Sequence, residues 1–298
     1  LVDAAEHRGA RGRARRVSSS ATSDAQPPLR IRGAALRRGE RELWAGLNLD
    51  VEPGEFIAVL GPSGSGKTTL LRAILGLEHL SAGAIETSGR RVERRGNRHI
   101  GYVPQQRPLP PETALRGRDL VTLGVTGHKF GFSLPNRRDR ERVDVLVADV
   151  GAEGFADRPV GELSGGEQQR LRIGQAIADD PDLLLCDEPL TSLDLANQQA
   201  IVALIDRHRR EHGTGVLFVT HDINPVLDVV DRILYIAGGR FTLGKPDEVL
   251  QTSVLSDLYG APVAVLRAGD RLVVVGAPDA EVSHHHHDDG DEPGGVHA

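Results

Sequence analysis

The segment GPSGSGKT, residues 61–68, fits the pattern G-x-x-x-x-G-K-[ST] of a phosphate-binding loop. It stands between an apolar run, Phe56–Leu60, and a helical pattern that begins at Lys67, which is the context that the pattern needs. Glycines let backbone N–H groups curl around phosphate oxygens, and a helix N-terminus adds partial positive charge. Only three lysines occur in the chain, which weighs against a chance lysine here. We expect Lys67 to reach the β- and γ-phosphates of a nucleotide and Thr68 to offer its hydroxyl to Mg²⁺.

A second apolar run, Leu183–Cys186, ends in two acids, Asp187 and Glu188. Acids at the end of a strand are often only solvated, but beside a phosphate loop they indicate nucleotide hydrolysis. Asp187 is expected to hold Mg²⁺ through its water shell, and Glu188 to polarise the attacking water. Cys186 lies inside the run and is expected to be a small buried residue, not a reactive thiol.

Apolar runs and helical patterns alternate along most of the chain, which predicts an α/β fold with a parallel sheet. Alternating positions at 29–32 and 47–51 predict partly exposed strands before the loop. Residues 112–180 are mostly helical in pattern, with a loop near 124–135, so a helical subdomain is inserted at about 106–180. Residues 262–277 predict two short strands, within an extension at 261–278.

Charge is concentrated at the two ends of the chain. Of the net charge of −6 over 298 residues, residues 279–298 contribute −6 and residues 1–28 contribute +2, so the body is close to neutral. A general nucleic-acid binder would carry a basic excess, so no nucleic-acid partner is expected. A single cysteine excludes an intramolecular disulfide and favours a reducing compartment.

Both ends are predicted to lie outside the folded body. Residues 1–28 are rich in Arg and Ser and predict a disordered leader, and the absence of Met leaves the true start open. The acidic tail, 279–298, carries histidines whose imidazoles, with the nearby carboxylates, predict either weak zinc binding or an inert tail. No apolar run approaches the roughly 20 residues of a membrane helix. The tail histidines are His284, His285, His286 and His287.

The segment LSGGEQQR, residues 163–170, resembles the signature of the ATP-binding cassette (ABC) ATPases. Ser164 and two glycines open a helix here, so a hydroxyl and bare N–H groups can face a phosphate. The same residues also fit a capping box, S-x-x-E, and a capped helix N-terminus can still bind an anion. The family usually has Gln where Glu167 stands. The signature residues, expected to meet the ATP of a partner subunit, are Leu163, Ser164, Gly165, Gly166 and Glu167.

Other segments resemble the family in the expected order between about 29 and 260. The resemblance implies a P-loop NTPase core with a parallel sheet, an antiparallel β subdomain and an inserted helical subdomain. Residues 102–105 resemble the Q-loop, 192–194 the D-loop with Asp194, and 220–222 the switch-histidine segment. The resemblance implies that Glu188, Gln105 and His221 are catalytic, and that ATP and Mg²⁺ are the cofactors. It implies Mg²⁺ ligation by Thr68, Gln105 and Asp187. The implied ATP-binding residues are Gly61, Pro62, Ser63, Gly64, Ser65, Gly66, Lys67, Thr68, Thr69 and Arg38.

Arg38 marks a departure from the family pattern. An aromatic residue usually stacks on adenine at this position, upstream of the phosphate loop. A guanidinium plane also stacks on a base. The nearest aromatic residue, Trp44, is expected to pack in the core.

The resemblance implies a head-to-tail homodimer that moves a separate membrane permease. It implies a peripheral position on the cytoplasmic face of the membrane, with an extracytoplasmic substrate-binding protein as an indirect partner. Segments 56–60, 220–227 and 258–263 are similar to ATPases of zinc and manganese importers. Three alternatives remain: a cassette for another solute or an exporter, a soluble non-transport ABC ATPase, and a simple P-loop kinase. The last is opposed by Ser164–Glu167 and His221.

Overall fold

The computed structural model describes residues 26–92, 97–105, 110, 112–127, 135–269 and 271–276. The tail histidines and nearly all of the predicted leader lie outside these residues. In the part of the chain that is described, no helix is both long enough and apolar enough to cross a membrane.

The described chain forms strands, α-helices and two short 3₁₀ turns, at 160–162 and 224–226. The strands are β1 (Leu29–Arg38), β2 (Arg41–Val51), β3 (Phe56–Leu60), β4 (Ala82–Thr87), β5 (Arg90–Arg91), β6 (Ile100–Val103), β7 (Leu183–Asp187), β8 (Gly215–Val219), β9 (Arg232–Ala237), β10 (Arg240–Gly244), β11 (Ala264–Ala268) and β12 (Arg271–Val275). The helices are α1 (Lys67–Ile74), α2 (Gly117–Thr126), α3 (Arg137–Asp149), α4 (Gly165–Ala176), α5 (Leu195–His212), α6 (Pro246–Val249) and α7 (Thr252–Tyr259).

A six-stranded sheet in the order β10-β9-β3-β8-β7-β6 forms the centre of the fold. Its strands run parallel, except for the edge strand β10. Every residue of β3, β7 and β8 is buried, as expected for strands covered on both faces. The predicted α/β fold with a parallel sheet is therefore confirmed. Because β3, β7 and β8 are parallel, the segments that follow them emerge at one edge of the sheet.

A second, antiparallel sheet has the order β2-β1-β4-β5 and packs over helix α1. Its strands extend well beyond the segments at 29–32 and 47–51 that the alternation predicts. β4 was not predicted, because its segment AGAIET offers one large apolar side chain, Ile85, to a periodicity analysis. Trp44 is fully buried between this sheet and α1, as predicted.

Helices α2, α3 and α4 pack together between β6 and β7 in chain order. Val121, Leu146 and Leu171, one from each helix, are buried in their shared core. The predicted loop near 124–135 starts too early, because α2 continues to Thr126. Its hydroxyl donates to the carbonyl oxygen of Thr122, and Val125 packs inward.

After α7, strands β11 and β12 form an antiparallel hairpin. The amide side chain of Asn224 holds it, donating to the carbonyl oxygen of Leu272 at 3.0 Å and accepting from its N–H at 2.8 Å. The hairpin is thereby fixed to the segment just after His221.

Helix α5 carries a buried histidine that makes stability depend on pH. Burial, and then the adjacent His212, lower the pKa of His208 to about 4, whereas an unfolded histidine titrates near 6.5. Both states are neutral above pH 7, so this contribution to stability is fully present there. As the pH falls from about 6.5 toward 4, the unfolded state takes up the proton first, and stability is lost.

We expect the free energy of unfolding to fall by about 1–2 kcal/mol between pH 7 and pH 5 through His208. Urea unfolding of the His208→Gln variant should show a correspondingly smaller loss, because a neutral amide next to the Thr214 hydroxyl does not titrate. Equal pH dependence in parent and His208→Gln would contradict this assignment.

Candidate active site

The phosphate-loop segment joins the central strand β3 to helix α1. Gly66 caps α1 with a φ of +98°, a conformation that glycine adopts readily. The ammonium of Lys67 folds over the loop, where Nζ donates to the carbonyl oxygens of Gly61 at 2.7 Å and Pro62 at 2.9 Å. Lys67 is nearly buried, so a positive charge is held inside the curve of the loop at a helix N-terminus. This arrangement suits a phosphate group.

Asp187 lies at the end of β7 and faces the start of α1. The Thr68 hydroxyl donates to its Oδ1 at 3.0 Å, and the Tyr102 hydroxyl to its Oδ2 at 3.4 Å. Burial raises the pKa of Asp187 and lowers the pKa of Lys67. Burial also raises the pKa of Tyr102 to about 12, so its phenol remains a proton donor near neutral pH.

Glu188 directly follows β7, and its carboxylate contacts residues that follow β6 and β8. Gln105 Nε2, after β6, donates to Glu188 Oε2 at 3.2 Å, and His221 Nδ1, after β8, lies 3.8 Å from the same oxygen. The Thr191 hydroxyl also donates to this oxygen, at 3.3 Å. Glu188 has a φ of +48°, a strained conformation for a residue with a side chain. The structure therefore brings Glu188, Gln105 and His221 together.

A cavity of about 410 Å³ extends from Glu188 along the phosphate loop to Arg37 and Arg38. Its described lining contains three arginines, these two and Arg72, and no aromatic side chain. The ion pair of Arg72 Nε and Glu78 Oε1, 3.0 Å apart, lies at its wall. Arg38 thus shares one cavity with the phosphate loop and Glu188.

The signature segment forms the N-terminus of α4, away from this cavity. Ser164 Oγ accepts from the Glu167 N–H at 3.3 Å, and Glu167 Oε2 accepts from the Ser164 N–H at 2.8 Å, which is a complete capping box. Ser164 is exposed. None of residues 163–167, all of which are described, lines the cavity. Asp194 caps α5 by accepting from the Asn197 N–H at 2.8 Å.

Three side chains at the site escaped sequence reasoning. Tyr102 belongs to the Q-loop segment, but its link to Asp187 depends on the pairing of β6 with β7, which sequence did not reveal. Thr191 lies three residues after Glu188, and this short spacing is the one feature of the sequence that could have indicated the contact between them. Asn197 packs on Gly166, where an added Cβ would lie 2.4 Å from Asn197 Oδ1. Asn197 therefore connects the D-loop helix to the signature helix.

A parallel sheet whose central strand ends in a phosphate loop, with two acids after another strand, defines a P-loop nucleotide-binding protein. The family model described as "ABC transporter" matches residues 44–191. The chain is 33% identical over 260 residues to a zinc import ATP-binding protein of Pseudomonas fluorescens, covering 87% of each. The chain thus belongs to the ABC transporter ATP-binding proteins and is an ATP-binding ATP hydrolase.

Relatives with other named substrates are also similar. An aliphatic sulfonates import ATP-binding protein of Paraburkholderia xenovorans is 36% identical over 242 residues, covering 76% of this chain and 67% of the relative. Among solved structures, an inward-facing metal-chelate type ABC transporter matches with a TM-score of 0.71 and 28% identity, covering 84% of this chain and 96% of that one. A dimeric ATP-binding cassette bound to ADP and phosphate matches with a TM-score of 0.61 and 29% identity, covering 73% and 98%.

Proposed function

We propose that this chain is the ATPase subunit of an importer for a divalent metal ion, zinc or manganese. The observation that carries the ATPase part is that Lys67, Thr68 and Glu188 line one cavity. Asp187 accepts a hydrogen bond from the Thr68 hydroxyl at 3.0 Å. The zinc import relative and the metal-chelate transporter structure support the metal class. The sulfonate relative keeps another solute as the second candidate, since its identity is as high.

We infer the hydrolytic roles from the family resemblance, and the geometry of the site supports them. Lys67 binds the terminal phosphates, and Glu188 accepts the proton of the attacking water. His221, beside the same carboxylate, contacts the γ-phosphate. Gln105 links this site to the helical subdomain, because it begins the connection from β6 to α2. Arg38 holds the adenine by stacking its guanidinium plane on the ring.

Residues at the site fit Mg²⁺ by the chemistry of their donors. Thr68, Asp187 and Gln105 present a hydroxyl, a carboxylate and an amide, whose hard oxygen atoms are the ligands that Mg²⁺ prefers. The Thr68 hydroxyl oxygen and Asp187 Oδ1 are 3.0 Å apart. When bound, Mg²⁺ neutralises charge on the β- and γ-phosphates.

A second copy of the chain completes the site. The exposed Ser164, at the N-terminus of α4, is suited to an anion, yet its segment is absent from the lining of the chain's own cavity. We infer a head-to-tail pair, in which residues 163–167 of each copy cover the ATP held by residues 61–69 of the other. The dimeric cassette structure supports the pairing of two copies.

Membrane coupling is assigned to the groove between the sheet edge and the inserted helices. This groove, of about 870 Å³, is lined by Tyr102 and Pro104 on one side and by Gly124 and Gln175 on the other. An integral permease docked there would respond to changes around Gln105. The ATPase would then lie on the cytoplasmic face of the membrane as a peripheral subunit. The extracytoplasmic binding protein is an indirect partner, and no nucleic acid is involved.

Within this proposal residues 29–260 are the ATPase domain, with the helical subdomain at about 106–180. Residues 261–278 form a β extension. The leader at 1–28 precedes these parts in the sequence, and the acidic tail at 279–298 follows them.

Transport is tested by reconstituting the chain, in vesicles loaded with ATP, with whichever multi-span permease and substrate-binding protein its neighbouring genes encode. We expect ATP-dependent uptake of zinc or manganese and no uptake of an aliphatic sulfonate. Sulfonate uptake without metal uptake would favour the second candidate and overturn the metal assignment. A Glu188→Gln reconstitution is the matched control and should transport neither.

The histidine tail predicts a separate, weak metal affinity. Deleting residues 283–298 should reduce zinc binding by the isolated chain, because it removes the clustered imidazoles and their neighbouring carboxylates. Titration calorimetry on the isolated chain measures this, with ATP turnover unchanged as the control for folding. The same heat of zinc binding with and without the tail would show that the tail is inert.

A further inference from the structure

Trp44, on β2, is the single tryptophan of the chain and is fully buried. Its indole packs directly against the phosphate loop. A Cβ added to Gly66 would lie 2.9 Å from Trp44 Nε1, which is closer than real Cβ atoms come, and 3.2 Å from Cδ1, which is a tight contact. Gly66 is therefore required both by its positive φ and by the ring pressed against its Cα.

The indole touches the residue that starts the functional helix. Gly66 is the N-cap of α1, and the next residue is Lys67. Any displacement of the ring allows Gly66 to move, and with it the N–H groups of the first turn of α1. Among the described residues, the buried indole N–H has no hydrogen-bond acceptor. Its location is therefore set by packing against the loop and the core, not by a polar partner.

Trp44 also pairs with β1, the strand that carries the two cavity arginines Arg37 and Arg38. In the antiparallel pairing of β1 and β2 it stands opposite Leu36. The pairing is irregular immediately after Leu36, and there the chain turns Arg37 and Arg38 toward the cavity. One side chain thus lies between the residues expected at the base and the loop expected at the phosphates.

We propose that Trp44 is a positioning residue that sets the phosphate loop against the base-side arginines, and that its emission reports whether the loop holds a nucleotide. This inference rests on the proposed ATP site at residues 61–69. Trp44 does not touch the reacting atoms, so its removal should alter binding of the nucleotide more than the chemical step.

The test is Trp44→Phe, which keeps an aromatic core residue but leaves the space beside Gly66. We expect the KM for ATP to rise about five- to tenfold while kcat stays within twofold. Phe56→Leu is the matched control, because it removes aromatic bulk from the start of β3, at the end remote from the loop. That variant should lose stability with KM within twofold of the parent.

Emission of the unmodified chain gives a second readout that does not depend on a variant. With a single indole against the loop, titration with ATP and Mg²⁺ should shift or quench the emission along the same curve as ATP binding measured by calorimetry. An unchanged KM in Trp44→Phe, an equal rise in Phe56→Leu, or emission that saturating ATP leaves unchanged would each overturn the proposal. Failure of the parent to bind ATP would instead reject the ATP site itself.

Discussion

Replacing Glu188 by Gln should lower the rate of ATP hydrolysis by about 10²–10⁴-fold, the range lost with a general base. The amide has nearly the same volume and can still hydrogen-bond to Gln105 and Thr191, so the local structure should persist. It cannot take a proton from water. Because Lys67 and the phosphate loop are untouched, the affinity for ATP should not fall below that of the parent. Phosphate release and calorimetric ATP binding measure the two quantities.

Glu78→Gln is the matched control for this variant. Glu78 is another carboxylate at the wall of the same cavity, but it pairs with Arg72 and not with the Gln105–His221 cluster. Its turnover should remain within about threefold of the parent, because a half-exposed ion pair contributes little. Parent-level hydrolysis by Glu188→Gln, or equal losses in both variants, would reject Glu188 as the base.

Replacing Lys67 by Ala should weaken ATP binding on the order of 100-fold, because a nearly buried cation facing the phosphates is removed. Hydrolysis at moderate ATP should fall with it. The loop carbonyls of Gly61 and Pro62 lose their shared donor, so the loop itself should also become less ordered. Calorimetric titration with ATP and Mg²⁺ measures the loss.

Lys245→Ala removes the same charge from an exposed position before α6 and is the natural control. It should bind ATP as the parent does. The lysine assignment would fail if Lys67→Ala bound ATP within threefold of the parent, or if Lys245→Ala weakened binding equally.

Much of the fold was predictable because its decisive segments are short and chemically specific. The buried runs of β3 and β7 are apolar at every position, so their strands were found without knowledge of their neighbours. Residues 61–68 fixed the strand–loop–helix unit through glycine and lysine chemistry. β4 was missed because its packing depends on its pairing with β1 across some fifty residues, and that pairing leaves little trace in its own sequence.

In the candidate site, some residues were predicted from the sequence and others were found only in the structure. Glu188, Gln105 and His221 were predicted from separate segments, and the structure places them around one carboxylate oxygen. The contacts of Tyr102 and Thr191 arise from strand pairing and from the turn after Glu188, which sequence patterns do not specify. Their identification needed the three-dimensional arrangement. Their roles remain predictions until the variants are measured.

The most direct test of the proposed pair is the mass of Glu188→Gln in solution with and without ATP. If residues 163–167 of one copy close over the ATP of the other, slowing hydrolysis should hold the pair together. Light scattering should then show the 32.0 kDa chain doubling its mass when ATP is added, with one ATP retained per chain. A further change of Ser164→Glu should abolish the doubling by placing a carboxylate against the partner's phosphates. A species that binds ATP but keeps the mass of a single chain would contradict the account.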